Sequence, residues 1–470
     1  MQQLLSHIFL VIYSLTILGV ILVVITDNRN PLKSVPWIVV LLLAPGVGLV
    51  FYFFFGQNLS KRRSLSRRMR KRLATQIADD AGSGPGVPEA HRPLAELLVR
   101  TLHAVPLYGT RITIYADGRS KMEALLAEIA RARHHIHLQY YIFCDDETGL
   151  ALRDALIAKA REGVAVRILY DDVGCHSVRK EFFEEMRRAG IEVHAFLHVK
   201  FPLFTSKINY RNHRKIVVID GCVGFLGGMN IADRYLRGTS WGPWRDTHFR
   251  FEGGGTAGLQ ASFLSDWTAT TRQKPSGEHL FPAPERFGDN ALQIVAGGPF
   301  GKWRALLQAD SYAIARARRR VWIQTPYYLP SEVLNSALQE AALAGVDVRL
   351  MMPERSDSRL VDLASHSFLD DMMKAGVRIE FYRPGFLHAK LLLIDDDLAV
   401  IGSANMDFRS FEHNFEINAF VYDRDFTARM AALFEQDAAH CRTITPGEWF
   451  HRPRLLRLAE SFMRLFAPLM

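Results

Sequence analysis

A stretch of 18 residues occurs twice in this chain and constrains its fold more than any bulk property does. The first copy runs His213-Arg214-Lys215, four apolar residues, Asp220, then Gly227-Gly228-Met229-Asn230. The second runs His388-Ala389-Lys390, four apolar residues, Asp395, then Gly402-Ser403-Ala404-Asn405. Both follow H-x-K-x4-D-x6-G-[GS]-x-N without insertion or deletion. Each apolar run, Ile216 to Ile219 and Leu391 to Ile394, ends at turn residues, which is the pattern of a strand buried on both faces. Residues two apart on a strand share a face, so each His and its Lys project together from the strand start. Asp220-Gly221 is a hairpin-turn signal, and Asp395-Asp396-Asp397 takes the same place in the second copy.

This doubled pattern resembles the HKD motifs of the phospholipase D superfamily. The resemblance implies one active site at the junction of two similar halves, each supplying a His-Lys-Asn set. The repeat also extends beyond the motif. A helical segment (121–133) leads into a strand (137–143), as 314–320 leads into 322–329. A helix at 152–163 precedes a strand at 164–170, as 334–345 precedes 346–352; then 182–190 precedes 191–196, as 368–376 precedes 377–382. Strands alternating with helices of this length mean α/β layers. Two tandem α/β/α sandwich domains of the phospholipase D type are expected, at 94–272 and 291–446, separated by Pro- and Gly-containing sequence.

The N-terminal end predicts a membrane. Leu4 to Ile25 contains no Asp, Glu, Lys or Arg and is long enough to span a bilayer. Trp37 to Phe55 is a second apolar run, interrupted by Pro45-Gly46 and Gly48. The first run lacks the basic start and small-residue cleavage site of a signal peptide, so residues 1–60 read as a two-helix transmembrane hairpin. Residues 61 to 72 then hold eight Lys or Arg and no acid. The chain's net charge is +9, so almost all its basicity lies in this one patch, which argues against a nucleic-acid groove spread over the fold. By the positive-inside rule the hairpin ends and everything after them are cytoplasmic, in a multi-pass protein of the bacterial inner membrane. The patch also suits anionic lipid headgroups. Residues 61–93 read as this basic segment and a linker, and 447–470 as a basic amphipathic tail that either packs on the second domain or lies on the bilayer. An 11-residue excess in the first half falls at the apolar 197–207 loop, where Phe201, Leu203 and Phe204 either pack or meet lipid. The four cysteines show no disulfide framework and no metal-ligand spacing, so neither metal nor cofactor is expected.

Chemistry follows from two histidines and two lysines acting together. A phosphodiester is anionic, so cations must offset its non-bridging oxygens; Lys215 and Lys390 supply them, with Asn230 and Asn405 as neutral donors. One His attacks phosphorus to give a phosphohistidine, and the other protonates the leaving alkoxide and then deprotonates the acceptor. Sequence alone leaves their order open; the family resemblance favours His213 as nucleophile and His388 as acid/base. Asp220 and Asp395 complete the catalytic motifs, although their turn positions suit structural pairing better than proton transfer. An acid follows each motif, Asp246 in the first half and Glu416 in the second, and a carboxylate on the far ring nitrogen fixes a catalytic imidazole's tautomer.

The hairpin, basic segment, linker, paired motifs and a Pro-Leu near the C-terminus together resemble the bacterial cardiolipin synthases over essentially the whole chain. That resemblance implies transfer of a phosphatidyl group from one phosphatidylglycerol to another, with glycerol leaving. A hydrolase using water, a transphosphatidylase with another donor or acceptor, and a nuclease are the ranked alternatives. A non-enzymatic scaffold would predict decay of a motif, and neither copy has lost a polar position. Oligomeric state has no signature in the sequence.

Overall fold

Ile216–Ile219 and Leu391–Ile394 are strands, and every residue of both is buried. Their side chains divide by parity, as the apolar runs require. Ile216 and Val218 point into the same core as Leu391 and Leu393. Val217 and Ile219 enter a separate core with Leu125, Leu152 and Phe182, and Leu392 and Ile394 enter a third with Leu338 and Leu369. Three apolar layers therefore form, two outer and one shared.

The computed structural model describes residues 2–26, 31–52, 72–75, 77, 86–198, 209–301 and 303–470. They fall into two compact units, Met1–Arg62 with Val199–Tyr210, and Arg63–His198 with Arg211–Met470. The second unit carries both motifs. Its first sheet has the strand order Arg111–Tyr115, His248–Glu252, Val223–Gly227, Ile216–Ile219, His135–Tyr140, Ala165–Asp171, Glu192–Phe196. The same order recurs in the second sheet as Ala291–Gly297, Asn414–Tyr422, Leu398–Gly402, Leu391–Ile394, Arg320–Gln324, Asp347–Pro353, Arg378–Tyr382, with short strands added at both edges. The motif strand runs antiparallel to its neighbours in each sheet, and the last three strands are parallel. Helix Gly255–Thr271 covers the inner face of the first sheet and Arg424–Ala438 that of the second, through Leu259, Phe426, Met430 and Phe434. The mixed α/β repeat read from the sequence is therefore present in the fold.

Two parallel two-residue ladders stitch the halves together. Arg211–Asn212 pairs with Asn414–Phe415, and Phe386–Leu387 pairs with Trp244–Arg245. Each lies immediately before a motif histidine on one side and beside the following acid on the other.

Some expectations need correction. The segment read as a linker from Leu73 is partly core: Leu73 packs with Phe263 and Trp267, and Ile77 joins the shared core. Leu73 and Ile77 are four apart on a short helical stretch, so both turn the same way into the fold. The strand read through 322–329 stops at Gln324, because Pro326 cannot donate to a ladder; pairing resumes at Tyr328–Leu329. Of the two readings of the C-terminal tail, packing on the second domain is the one seen, with Arg452 and Arg457 bonded to Asp370 and helix Arg454–Arg464 packed on Arg359–His366. That helix still leaves Leu455 82% exposed, and Leu458, Phe462 and Leu465 are exposed beside it. In the first unit, Gln3–Ile25 is one continuous helix long and apolar enough to cross a membrane. The second apolar run is two helices, Pro31–Leu43 and Pro45–Phe51, broken where Pro45 removes a helical donor. Val24, Leu41 and Tyr52 pack the unit's small core. The basic run from 61 to 71 and the loop residues Phe201, Leu203 and Phe204 lie outside the described residues.

Asp220 and Asp395, grouped above with the catalytic residues, sit at the far end of each motif strand and do not line the active cavity. Both adopt the left-handed region, with φ of 53° and 51°. The Asp220 carboxylate accepts from the backbone N–H groups of Arg133, His134 and His135, each at 2.8 Å. Asp395 accepts from Arg318, Arg319 and Arg320 at 3.0, 2.7 and 3.2 Å. Three donors per carboxylate leave nothing to transfer; these groups tie the hairpin turn to the next strand's start. Asp220→Ala should therefore lower stability by about 2 kcal/mol while turnover per folded molecule persists. Thermal unfolding in detergent beside an activity assay checks this; lost turnover at an unchanged midpoint would return Asp220 to the site.

Candidate active site

The short cross-half ladders deliver each motif histidine to the other half. The His213 backbone N–H donates to the Phe415 carbonyl at 2.9 Å, and its Nδ1 lies 3.0 and 3.1 Å from the two Glu416 carboxylate oxygens. The His388 N–H donates to the Arg245 carbonyl at 2.7 Å, and its Nδ1 lies 2.7 Å from Asp246 Oδ2. Both predicted acids thus meet a histidine, and the partners are exchanged: each acid serves the half it does not belong to. A carboxylate at Nδ1 fixes the tautomer and leaves Nε2 with its lone pair. Both histidines, Asn230 and Asn405 line one cavity of about 400 Å³.

The variable motif position, Gly228 or Ser403, follows from these acids. A Cβ on Gly228 would collide with the Asp246 carboxylate, so only glycine fits there. In the second half Ser403 Oγ donates to Glu416 Oε2 at 2.5 Å instead. Thr247 N–H holds Asp246 Oδ1 at 2.7 Å, and Asn414 holds Glu416 Oε1 at 3.1 Å. Burial works against ionisation of both acids. For Asp246 the charge of Lys390 and the His388 contact outweigh it, and for Glu416 the His213 contact and Lys215 do, so both stay below the ordinary carboxylate range.

The lysines lie beneath the histidines. Lys215 Nζ donates to the His213 carbonyl at 2.7 Å, and Lys390 Nζ donates to the His388 carbonyl and lies 2.8 Å from His388 Nδ1. Burial is the main cause that brings Lys215 down to about 7 and Lys390 to about 8, against the nearby acids. The histidines fall as well. Burial and then the Lys390 charge bring His388 to about 3, and burial lowers His213 against the pull of Glu416. The resting site near neutral pH therefore holds two neutral imidazoles aimed at a cavity above two lysines poised between ammonium and amine. Such a set can attack phosphorus, accept a proton and stabilise an anionic trigonal-bipyramidal centre.

Asn230 donates to Tyr235 Oη at 2.5 Å and accepts from the Ile142 N–H at 3.1 Å; Asn405 donates to Asp407 at 3.1 Å. The motif reading missed several cavity residues. Arg234 and Arg409 both line it, each four positions beyond a motif Asn, so the repeat continues to an arginine that a longer comparison of the two copies would have found. The aromatic flanks carry no such signal: Tyr141 packs 5.0 Å from the His213 ring, and Trp244 and Phe386 lie 5.2 and 5.4 Å from His388.

A family model described as "Cardiolipin synthase, PLD-like domain" matches residues 125–240 and 312–438, and a phospholipase D-nuclease N-terminal model matches 14–57. The chain is 41% identical to cardiolipin synthase 2 of Bacillus cereus, over 95% of this chain and 89% of that one. It is 38% identical to the major cardiolipin synthase of Bacillus subtilis, over 97% of this chain and 98% of that one. Among solved structures, phosphatidylserine synthase of Haemophilus influenzae shares the fold with a TM-score of 0.62 at 13% identity, covering 80% of this chain and 98% of that one.

The lysines set the expected pH dependence. Each is depressed below its ordinary value, so its charge is present below its own pKa and lost above it. In the empty site those values are about 7 and about 8. We expect kcat/KM, which reports the free enzyme, to fall as pH rises through this window. A bound phosphodiester anion favours the ammonium forms, so the alkaline limb of kcat should lie higher. Rate profiles in mixed micelles at fixed ionic strength test this, and coincident limbs would contradict it.

Proposed function

The chain belongs to the cardiolipin synthase family of phospholipase D-like enzymes, and from that premise we propose the following reaction for this phosphatidyltransferase. His213 attacks the phosphorus of one phosphatidylglycerol while His388, which takes up a solvent proton at Nε2 as the phosphodiester anion binds, gives that proton to the departing glycerol oxygen, and a phosphatidyl-histidine forms. His388 then takes the proton from the free terminal hydroxyl of a second phosphatidylglycerol, whose oxygen displaces His213 and gives cardiolipin. Lys215, Lys390, Asn230 and Asn405 hold the non-bridging oxygens, and Glu416 and Asp246 orient the two imidazoles. The observation that carries this reading is the pair of histidines, each completed by the other half's carboxylate, lining one cavity.

A lipid substrate is supported at the cavity's rim. Met470 lines the cavity, and the helix just before it exposes Leu455, Leu458, Phe462 and Leu465. The membrane-associated N-terminal helix keeps such a site at a lipid surface. We read the broken second segment as a second span, because membrane helices tolerate Pro and Gly breaks. With only Arg29 and Lys33 between the two apolar runs and eight basic residues after the second, the catalytic unit is cytoplasmic on this reading. An impermeant thiol reagent should leave Ser83→Cys, in a Cys222→Ser background, unlabelled in intact cells and label it after lysis. Labelling before lysis would put the site on the outer face.

Transfer competes with water at about 55 M, and effective molarities of about 10⁵ M or more for an oriented acceptor are enough to win. The purified protein with phosphatidylglycerol alone should therefore release glycerol and form cardiolipin, with phosphatidic acid a minor product. Dominant phosphatidic acid at high lipid surface density would make it a hydrolase. Cardiolipin appearing only when phosphatidylethanolamine is added would mean a different donor.

A further inference from the structure

We propose that Arg234 holds the phosphodiester of the acceptor lipid, which rests on the transfer reading above. Joining two phosphatidylglycerols requires two phosphate anions in one cavity. The motif lysines and asparagines serve the phosphate at the reacting centre. The second phosphate needs a cation of its own, since like charges close together in a poorly solvated site repel strongly.

Three arginines line the cavity: Arg211, Arg234 and Arg409. Arg211 and Arg409 lie on the His213 flank, where both act on Tyr141, the ring packed against His213. Arg234 stands on the other flank. Its guanidinium lies 5.5 Å from the Trp244 ring and 5.7 Å from the Tyr235 ring, and the Trp244 ring lies 5.2 Å from His388. Among the described residues its guanidinium makes no ion pair or hydrogen bond, so the two rings orient it while its donors stay available. Asp357, which also lines the cavity, is held by the Tyr327 hydroxyl at 2.7 Å.

The chemistry selects this flank. The acceptor hydroxyl gives its proton to His388, so the acceptor's body approaches on the His388 side. Its phosphate is one glycerol away, a three-carbon bridge with terminal oxygens spanning about 5 Å at ordinary bond lengths. A charge-assisted N–H···O contact adds about 3 Å. That reach matches an arginine one aromatic ring removed from His388. Its repeat equivalent, Arg409, flanks the histidine that attacks phosphorus, where no hydroxyl enters.

Two reactions of the same intermediate separate the roles. Cardiolipin formation uses an acceptor with a phosphate; incorporation of labelled glycerol into phosphatidylglycerol uses an acceptor without one. In the full-length protein, Arg234→Gln should lower cardiolipin formation by about tenfold or more and glycerol exchange by less than about threefold, as expected for one lost charge-assisted phosphate contact. Arg234→Lys should recover part of the loss, and Arg409→Gln should not separate the two reactions. An equal fall in both reactions, or no fall in either, overturns the proposal. A selective loss at Arg409 in place of Arg234 moves the acceptor to the other flank and overturns it as well. Wild-type protein that exchanges glycerol but makes no cardiolipin would refute the transfer reading itself.

Discussion

His213 takes two partners from one short stretch of the opposite half, the Phe415 carbonyl for its backbone and Glu416 for its ring, and His388 takes the equivalent pair from Arg245 and Asp246. A backbone bond and a side-chain bond from adjacent residues leave little freedom for the imidazole. Neither half can present a correctly oriented histidine without the other. The shared core between the two sheets is thus more than a means of burying apolar area. Sliding one sheet against the other would break both histidine–carboxylate pairs at once, so the packing of Ile216, Val218, Leu391 and Leu393 bears directly on catalytic geometry.

Beneath this exchange lies a second layer of buried charge. Arg214 bonds to Asp266, to the Gly297 carbonyl at 2.6 Å and to the Glu416 carbonyl at 3.1 Å. Arg245 bonds to Asp437 through two nitrogens at 2.9 and 2.7 Å. Gln139 and Gln324 donate to the same two aspartates at 2.9 and 2.8 Å. One arginine follows a motif histidine and the other precedes an orienting acid, so each anchors a catalytic strand to an inner helix. Buried ion pairs add little net stability against an apolar alternative. Their directional bonds are better matched to fixing strand position than to raising the unfolding free energy.

The doubled 18-residue pattern was sufficient to read the motif strands, their burial on both faces and the common site. Periodicity then carried the order of strands and helices within each half. Two kinds of feature stayed hidden. The exchange of acids between halves depends on how two sheets meet face to face, and spacing within a half does not encode that. The buried Leu73 and Ile77 stand four apart, a helical spacing, but the Gly- and Pro-containing sequence that follows drew the whole stretch into the linker reading. The aspartates show the opposite case. They matched the catalytic motif in spacing, yet their left-handed backbone and three N–H donors each make them turn anchors. Arg234 and Arg409 were legible in principle, since their offset from Asn230 and Asn405 is identical.

Charge counting links the resting site to its chemistry. At pH below the lysine values, two ammonium groups face the two orienting carboxylates, so with both imidazoles neutral these six side chains together carry no net charge. In that state His388 sits near 3, first because burial disfavours its charged form and then because Lys390 lies beside it, the two together outweighing Asp246. An arriving phosphodiester brings one negative charge and reverses the balance. A proton on an imidazole then neutralises the assembly where it previously overcharged it, and the ammonium groups are favoured by the same anion. In the proposed reaction, the substrate's own charge thus favours the proton that His388 is to donate. On the same proposal, once the alkoxide has left with that proton His388 is again neutral, and a neutral imidazole is the form required to deprotonate the next alcohol.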